Sequence, residues 1–271
     1  MKLLRICVTV LFFVTLCLFL FFSIQQLDTD RTVPVITIPA GTLEVSLEAD
    51  RDELMQGVSA HDEKDGDLTD AIIIESISRF TEPGTAVVTY AVCDSDNHVA
   101  SASRKIHYID YTPPKFTLSD PLVFSTLENP QVLKILGAVD VIDGDISGKV
   151  IISATDYISN TAGTFTISAK VSNSRGDIIY IQLPIYIEEQ SLSAPQLTLQ
   201  DYLLYLPAGS SYDPDANLLS AVANDGEDLR GQVRIDTNLD LQTPGTYQVH
   251  YYATDAQGRR GHTVLTIVVE D

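Results

Sequence analysis

The chain has 271 residues, 37 acidic against 17 basic side chains, a formal charge of −20 and no tryptophan. A surface that acidic repels nucleic acid and other anionic polymers, so a nucleic-acid function is excluded as the working reading. Cys7 and Cys17 lie in an apolar N-terminal run and Cys93 stands alone, so no intrachain disulfide framework is expected outside a membrane.

The first predicted element is the uncharged run Ile6 to Ile24, rich in Phe, Leu and Val, which follows Lys2 and Arg5. As a helix it is long enough to cross a bilayer, with residues 1–5 held in the cytoplasm by the two cations and the remainder sent outside. The apolar run continues through Phe19 to Phe22 without small residues, which favours a retained signal anchor over a cleaved leader. Leu16 is too bulky for a lipoprotein cleavage site before Cys17. Residues 25–32 read as a polar stalk.

Beyond the stalk one plan is written three times, over residues 33–110, 111–190 and 191–271. Gly84, Gly163 and Gly245 are spaced by 79 and 82 residues; Gly66, Gly144 and Gly226 by 78 and 82; Pro34, Pro114 and Pro195 by 80 and 81. Units of this length suit small domains with their own cores. Each opens on Asp-x-x-x-Pro (Asp30 to Pro34, Asp110 to Pro114) or a weaker copy (Ser191 to Pro195). A β-rich run follows, then a second at 43–47, 132–136 and 202–206. Next comes an acidic turn, DEKDGDLT at 62–69, DVIDGDIS at 140–147 and NDGEDLR at 224–230. A Gly-Thr turn then leads to a long strand. There Ala86, Val88, Tyr90 and Val92 align with Phe165, Ile167, Ala169 and Val171, and with Tyr247, Val249, Tyr251 and Ala253. One apolar face with a period of two predicts half-buried strands. A tight turn and a last alternating strand close each unit, RKIHYID, YIQLPIYIE and TVLTIVVE. The whole reads as all-β, with antiparallel sandwiches joined by short Pro-bearing links and stacked head to tail into a rod.

The combination D-x-x-D-G-D-[LI]-[ST], P-G-T and Y-x-[VA]-x-D resembles the bacterial immunoglobulin-like repeat of surface proteins, also found in pesticidal crystal toxins and similar to hyalin-type repeats. The resemblance spans residues 30–271. It implies three immunoglobulin-like β-sandwiches, a surface or adhesive setting and no catalysis. Unit two departs from the pattern at Asn173, Ser174 and Ala162, and unit three shifts its acids to Asp225, Glu227 and Asp228.

The acidic turns are the main chemical candidates. Asp62, Asp65 and Asp67, like Asp140, Asp143 and Asp145, offer carboxylate oxygens suited to calcium, while Asp-Gly is also what a tight turn demands. A joint calcium site from Asp110, Asp143 and Asp145 is the sharper expectation, and plain turn chemistry the broader one. No other cofactor is expected. The histidines His61, His98, His107, His250 and His262 are scattered, and the sequence holds no HExxH, paired-Cys, GxSxG or P-loop pattern. Tyr202, Tyr205 and Tyr212 suit either core packing or stacking on a sugar or peptide. Cys93 falls on an outward face, where an intermolecular bridge is an alternative to an inert thiol.

The expectation is a non-catalytic, single-pass cell-membrane protein with an extracellular C-terminal ectodomain, acting in adhesion or as a spacer. Its partners would be the membrane, through the N-terminal helix, and an extracellular protein or glycan. The alternative is a carbohydrate- or peptide-binding ectodomain. No LPxTG-like sorting signal follows the last strand, which leaves tethering to the anchor.

Overall fold

The computed structural model describes residues 2–27, 31–189 and 193–271. Asp30 and Ser191, the first residues of two predicted openings, and Asp28 to Asp30 of the predicted stalk lie outside the described residues, as does the predicted boundary at 190/191.

Lys2–Leu27 forms one helix. Within it Ile6–Ser23 is free of charge, has a mean hydropathy of 2.7 and is exposed along its length. At 1.5 Å per residue it is about 27 Å long, which is close to the hydrocarbon thickness of a bilayer. Apolar on every side and free of Gly and Pro, it satisfies its backbone internally, as a membrane-crossing segment must.

The rest is all-β, in three copies of one two-sheet plan. In the first repeat Val35–Thr37, Ser59–Asp62 and Gly66–Asp67 form one sheet, and Leu43–Val45, Val99–Tyr108, Thr85–Cys93 and Ile73–Ile77 the other, in that order. The second repeat pairs Lys115–Leu118, Leu136–Asp140 and Gly144–Asp145 opposite Val123–Ser125, Ile178–Glu188, Gly163–Ser172 and Ile151–Thr155. In the third, Gln196–Leu199 and Leu218–Val222 face Leu203–Pro207, Arg260–Glu270, Gly245–Thr254 and Arg234–Thr237. The predicted inward residues are inside: Ala86, Val88 and Tyr90 are fully buried, as are Ala169, Val249 and Tyr251.

Two expectations about strands need correction. The four-stranded sheets are mixed, because the second strand of each repeat pairs parallel with the last: Leu43 opposite Ile106, Val123 opposite Tyr186, Leu203 opposite Thr266. The chain crosses between sheets after its first strand and keeps its direction, so its new neighbour runs the same way. The apolar run at 132–136 is also not a strand. Val132–Ile135 is a helical turn, matched by Arg51–Leu54 and by the 3-10 turn Pro214–Asn217. Val132 and Leu136 are buried with Ile135 packed beside them, while Leu133 is exposed, which is the i, i+3, i+4 spacing of a helix and not the alternation of a strand.

The chain divides into two compact units, Met1–Thr81 with Thr85–Asp110, and Glu82–Gly84 with Tyr111–Asp271. Inside the second, the third repeat lays the outer face of its four-stranded sheet against the second repeat, so these two are not stacked end to end. Val264, with Leu203 and Val268, belongs to the hydrophobic cluster built on Phe116, Leu183 and Ile185. Leu265, Ile267 and Val269, the alternate residues, fill the third repeat's own core. Arg260–Glu270 is therefore buried on both faces from Gly261 to Ile267, whereas the last strands of the first two repeats alternate exposed and buried.

Candidate functional site

The acidic turns are built alike in the first two repeats. The first aspartate, Asp62 or Asp140, is buried and accepts two backbone N–H bonds from its own turn: Lys64 and Asp65 at 2.8 and 3.1 Å, Ile142 and Asp143 at 2.9 Å each. The second reaches across to the hairpin turn after the long strand. Asp65 accepts from the Ser95 amide and hydroxyl, both at 2.8 Å, and Asp143 from Ser174 at 2.7 and 2.6 Å. The third caps a 3-10 turn, Asp67 accepting from the Thr69 amide and Asp145 from the Ser147 amide and hydroxyl. Gly66 and Gly144 take φ of 75° and 69° between them, a conformation that glycine adopts without strain. The third repeat has Ala223 in place of the first aspartate, and Asp228 accepts the Arg230 amide at 3.0 Å.

This geometry uses the carboxylates as acceptors for the protein's own donors. Asp110 lies in the first compact unit, where it accepts from the Ser46 hydroxyl at 2.6 Å and the Leu47 amide at 2.8 Å, which hold its carboxyl below the usual range. Asp143 and Asp145 lie in the second unit. Lys149 stands 2.8 Å from Asp143 and, with Ser174, holds its carboxyl low; Ser147 does the same for Asp145. Among the described residues no group of three or more His, Cys, Asp or Glu side chains is arranged to hold a metal ion.

The three tyrosines separate. Tyr202 and Tyr212 pack on the third repeat's core. Tyr205 faces the second repeat, where its hydroxyl accepts the Phe116 N–H at 3.0 Å, the Lys115 ammonium sits 4.7 Å from its ring centre, and burial pushes its hydroxyl up to about 12. Lys115 also pairs with Glu270 at 2.8 Å. Around these residues lies a cleft of about 320 Å³, whose wall includes Pro114, Gln182 and Tyr180, the last 70% exposed. The sequence reading passed over Tyr180; its signal was an aromatic on the polar phase of its strand.

The histidines are not all scattered. His98 meets Asp94 at 2.7 Å and His107 meets Thr85 at 3.2 Å within the first repeat. His250 and His262, twelve residues apart, come within 3.0 Å of each other on adjacent strands. Cys93 is exposed, as its register predicts.

Residues 200–269 match the family model described as bacterial surface protein, Ig-like domain. The match falls within the third repeat. Over 138 residues, 49% of the chain, the sequence is 28% identical to pesticidal crystal protein Cry22Aa of Bacillus thuringiensis and 26% identical to an uncharacterized 81.3 kDa protein of Acholeplasma phage L2. The aligned part is 18% of each relative's length, so the chain spans under a fifth of these curated relatives. Among solved structures, the lipoprotein BT2262 from Bacteroides thetaiotaomicron is 28% identical over 28% of this chain and 38% of that one, with a TM-score of 0.26. The CBM51-2 and INT domains of Clostridium perfringens ZmpB, solved in complex with GlcNAc, are 16% identical over 52% of this chain and 30% of theirs, with a TM-score of 0.27.

Proposed function

We propose that this chain is a non-catalytic bacterial surface protein, anchored by Lys2–Leu27 with its N-terminus in the cytoplasm, whose three Ig-like repeats serve outside the cell as a spacer or adhesive arm. The observation that carries the reading is the use of the third repeat's outer sheet face. That apolar face is buried against the second repeat, an arrangement that stiffens this pair of repeats and suits a load-bearing part. The surface Ig-like domain in the third repeat supports the setting. The test is fractionation of cells expressing the chain, followed by protease treatment of intact cells. The reading expects the repeats in the membrane fraction and digestible from outside; protection of the repeats in intact cells contradicts it.

A second reading, a carbohydrate- or peptide-binding ectodomain, is favoured by one feature, the cleft beside the exposed ring of Tyr180 with Lys115, Gln182 and Glu270 around it. Exposed aromatic faces beside hydrogen-bonding side chains suit sugar rings and extended peptides. A glycan array with the unsubstituted chain and Tyr180→Ala separates the two: binding lost in the variant favours the second reading, and silence from both favours the spacer.

A further inference from the structure

The seam between the second and third repeats holds a cluster of ring and charged side chains that neither reading uses. His250 and His262 sit on paired strands, with His250 opposite Val264 and Tyr252 opposite His262. The two rings are 5.2 Å apart, with Nδ1 of His250 3.0 Å from Nε2 of His262. From the second repeat, the Tyr186 ring meets His250 edge-on at 4.8 Å and His262 at 5.9 Å. Glu188 Oε1 stands 2.9 Å from Nδ1 of His262, whose side chain is 1% exposed. Tyr252 stacks on His262 at 4.4 Å and carries the Arg260 guanidinium 3.8 Å above its own ring. Arg234, on the edge strand, lies 5.8 Å from the same ring, and Asp236 beside it acts on His250.

Two ring nitrogens 3.0 Å apart make a good hydrogen bond only when one proton lies between them. With both imidazoles charged, N–H opposes N–H beside a buried His262 ring. Glu188 stands against His262 and Asp236 acts on His250, while Arg260 adds charge of the same sign as the two rings. We propose that this cluster makes the seam acid-labile: charging both histidines releases the third repeat's outer face from the second repeat and bares Leu203, Val264 and Val268.

The ionisation runs the same way. Burial, and then His262, hold the His250 imidazole below its ordinary value of 6.5, while the His262 ring nitrogen 2.9 Å away holds the Glu188 carboxyl below its ordinary 4.5. Both docked values are depressed, so each group contributes stability in full above its undocked value and loses it as pH falls. Loss from His250 therefore begins as pH drops past 6.5, and Glu188 adds to it only below 4.5. A buried histidine is the group able to place such a change near neutrality.

The test uses the full chain in detergent, with Cys7, Cys17 and Cys93 replaced by serine and spin labels on cysteines placed at the exposed Leu127 and Leu219, one in each repeat. Pulsed electron–electron resonance is expected to give one narrow distance distribution at about pH 7.5 and a broad, longer one at about pH 5. His250→Gln with His262→Gln should stay narrow at both. Glu188→Gln, which removes the carboxylate beside His262, should move the broadening to higher pH. A narrow distribution in the unsubstituted chain at the acid pH, or equal broadening in the double glutamine variant, overturns the proposal. Should the double variant already be broad at neutral pH, Glu188→Gln decides: an upward shift supports the proposal and an unmoved onset overturns it.

Discussion

Asp62 shows how an acidic motif serves a fold. Its buried carboxylate accepts the amides of Lys64 and Asp65 and the Thr32 hydroxyl at 3.3 Å, so the turn's backbone donors have a partner where water is excluded. Asp62→Ala removes acceptors and leaves partly buried amides unmatched, a loss of about 1–2 kcal/mol. Urea unfolding of the first repeat's transition checks it. Because Asp65, Asp143 and Asp145 are also engaged by protein donors, millimolar calcium or a chelator is expected to leave the thermal midpoint of the full chain unmoved; a clear rise with calcium would support the joint site of Asp110, Asp143 and Asp145. Arg104 is a second buried polar residue of this kind. It is 8% exposed, and its guanidinium donates to the Tyr90 hydroxyl and to the carbonyls of Leu54 and Gln56, tying the long strands to the end of the helix Arg51–Leu54. Arg104→Met, similar in bulk but without donors, is expected to cost about 1–3 kcal/mol, read from the same urea transition.

At the scale of the element, the long strands were readable because side chains alternate on a pleated strand, and one polar face told which side was in. The same reasoning failed at 132–136. A five-residue apolar run is too short for its period to be distinguished by composition, and only the outward Leu133 and Lys134 between inward neighbours mark it as helical. Parallel pairing of the second strand with the last was not legible either, since it follows from a crossing between sheets and not from any residue pattern. The last strand of the third repeat did carry a signal. Val264 to Val269 has a single polar residue, Thr266, where the first repeat's Arg104 to Tyr108 alternates, and a strand apolar on both phases is one buried on both faces. Val264→Asp should therefore be far more harmful than an outward substitution in the equivalent strand of the first repeat, such as Ser103→Asp. Burying a valine side chain is worth about 1.5–3 kcal/mol, and an unpaired carboxylate in its place costs more. Paired urea titrations of the two variants check this.

At the scale of the whole molecule, the sequence made the threefold repetition plain through its glycine and proline spacings, and it left the relation between the second and third repeats open. The contacts that join them come from residues distant in the chain: Lys115 with Glu270, Phe116 with Tyr205, Tyr186 with His250. No local pattern announces such pairs. Docked through an apolar face, the two repeats should unfold as one. Differential scanning calorimetry of the full chain in detergent near neutral pH tests this most directly. The account predicts two transitions, one for the residues up to Asp110 and one for Tyr111–Asp271, with Val264→Asp splitting the second in two. Three separate transitions in the unsubstituted chain, or a second transition that Val264→Asp leaves whole and unshifted, would contradict it.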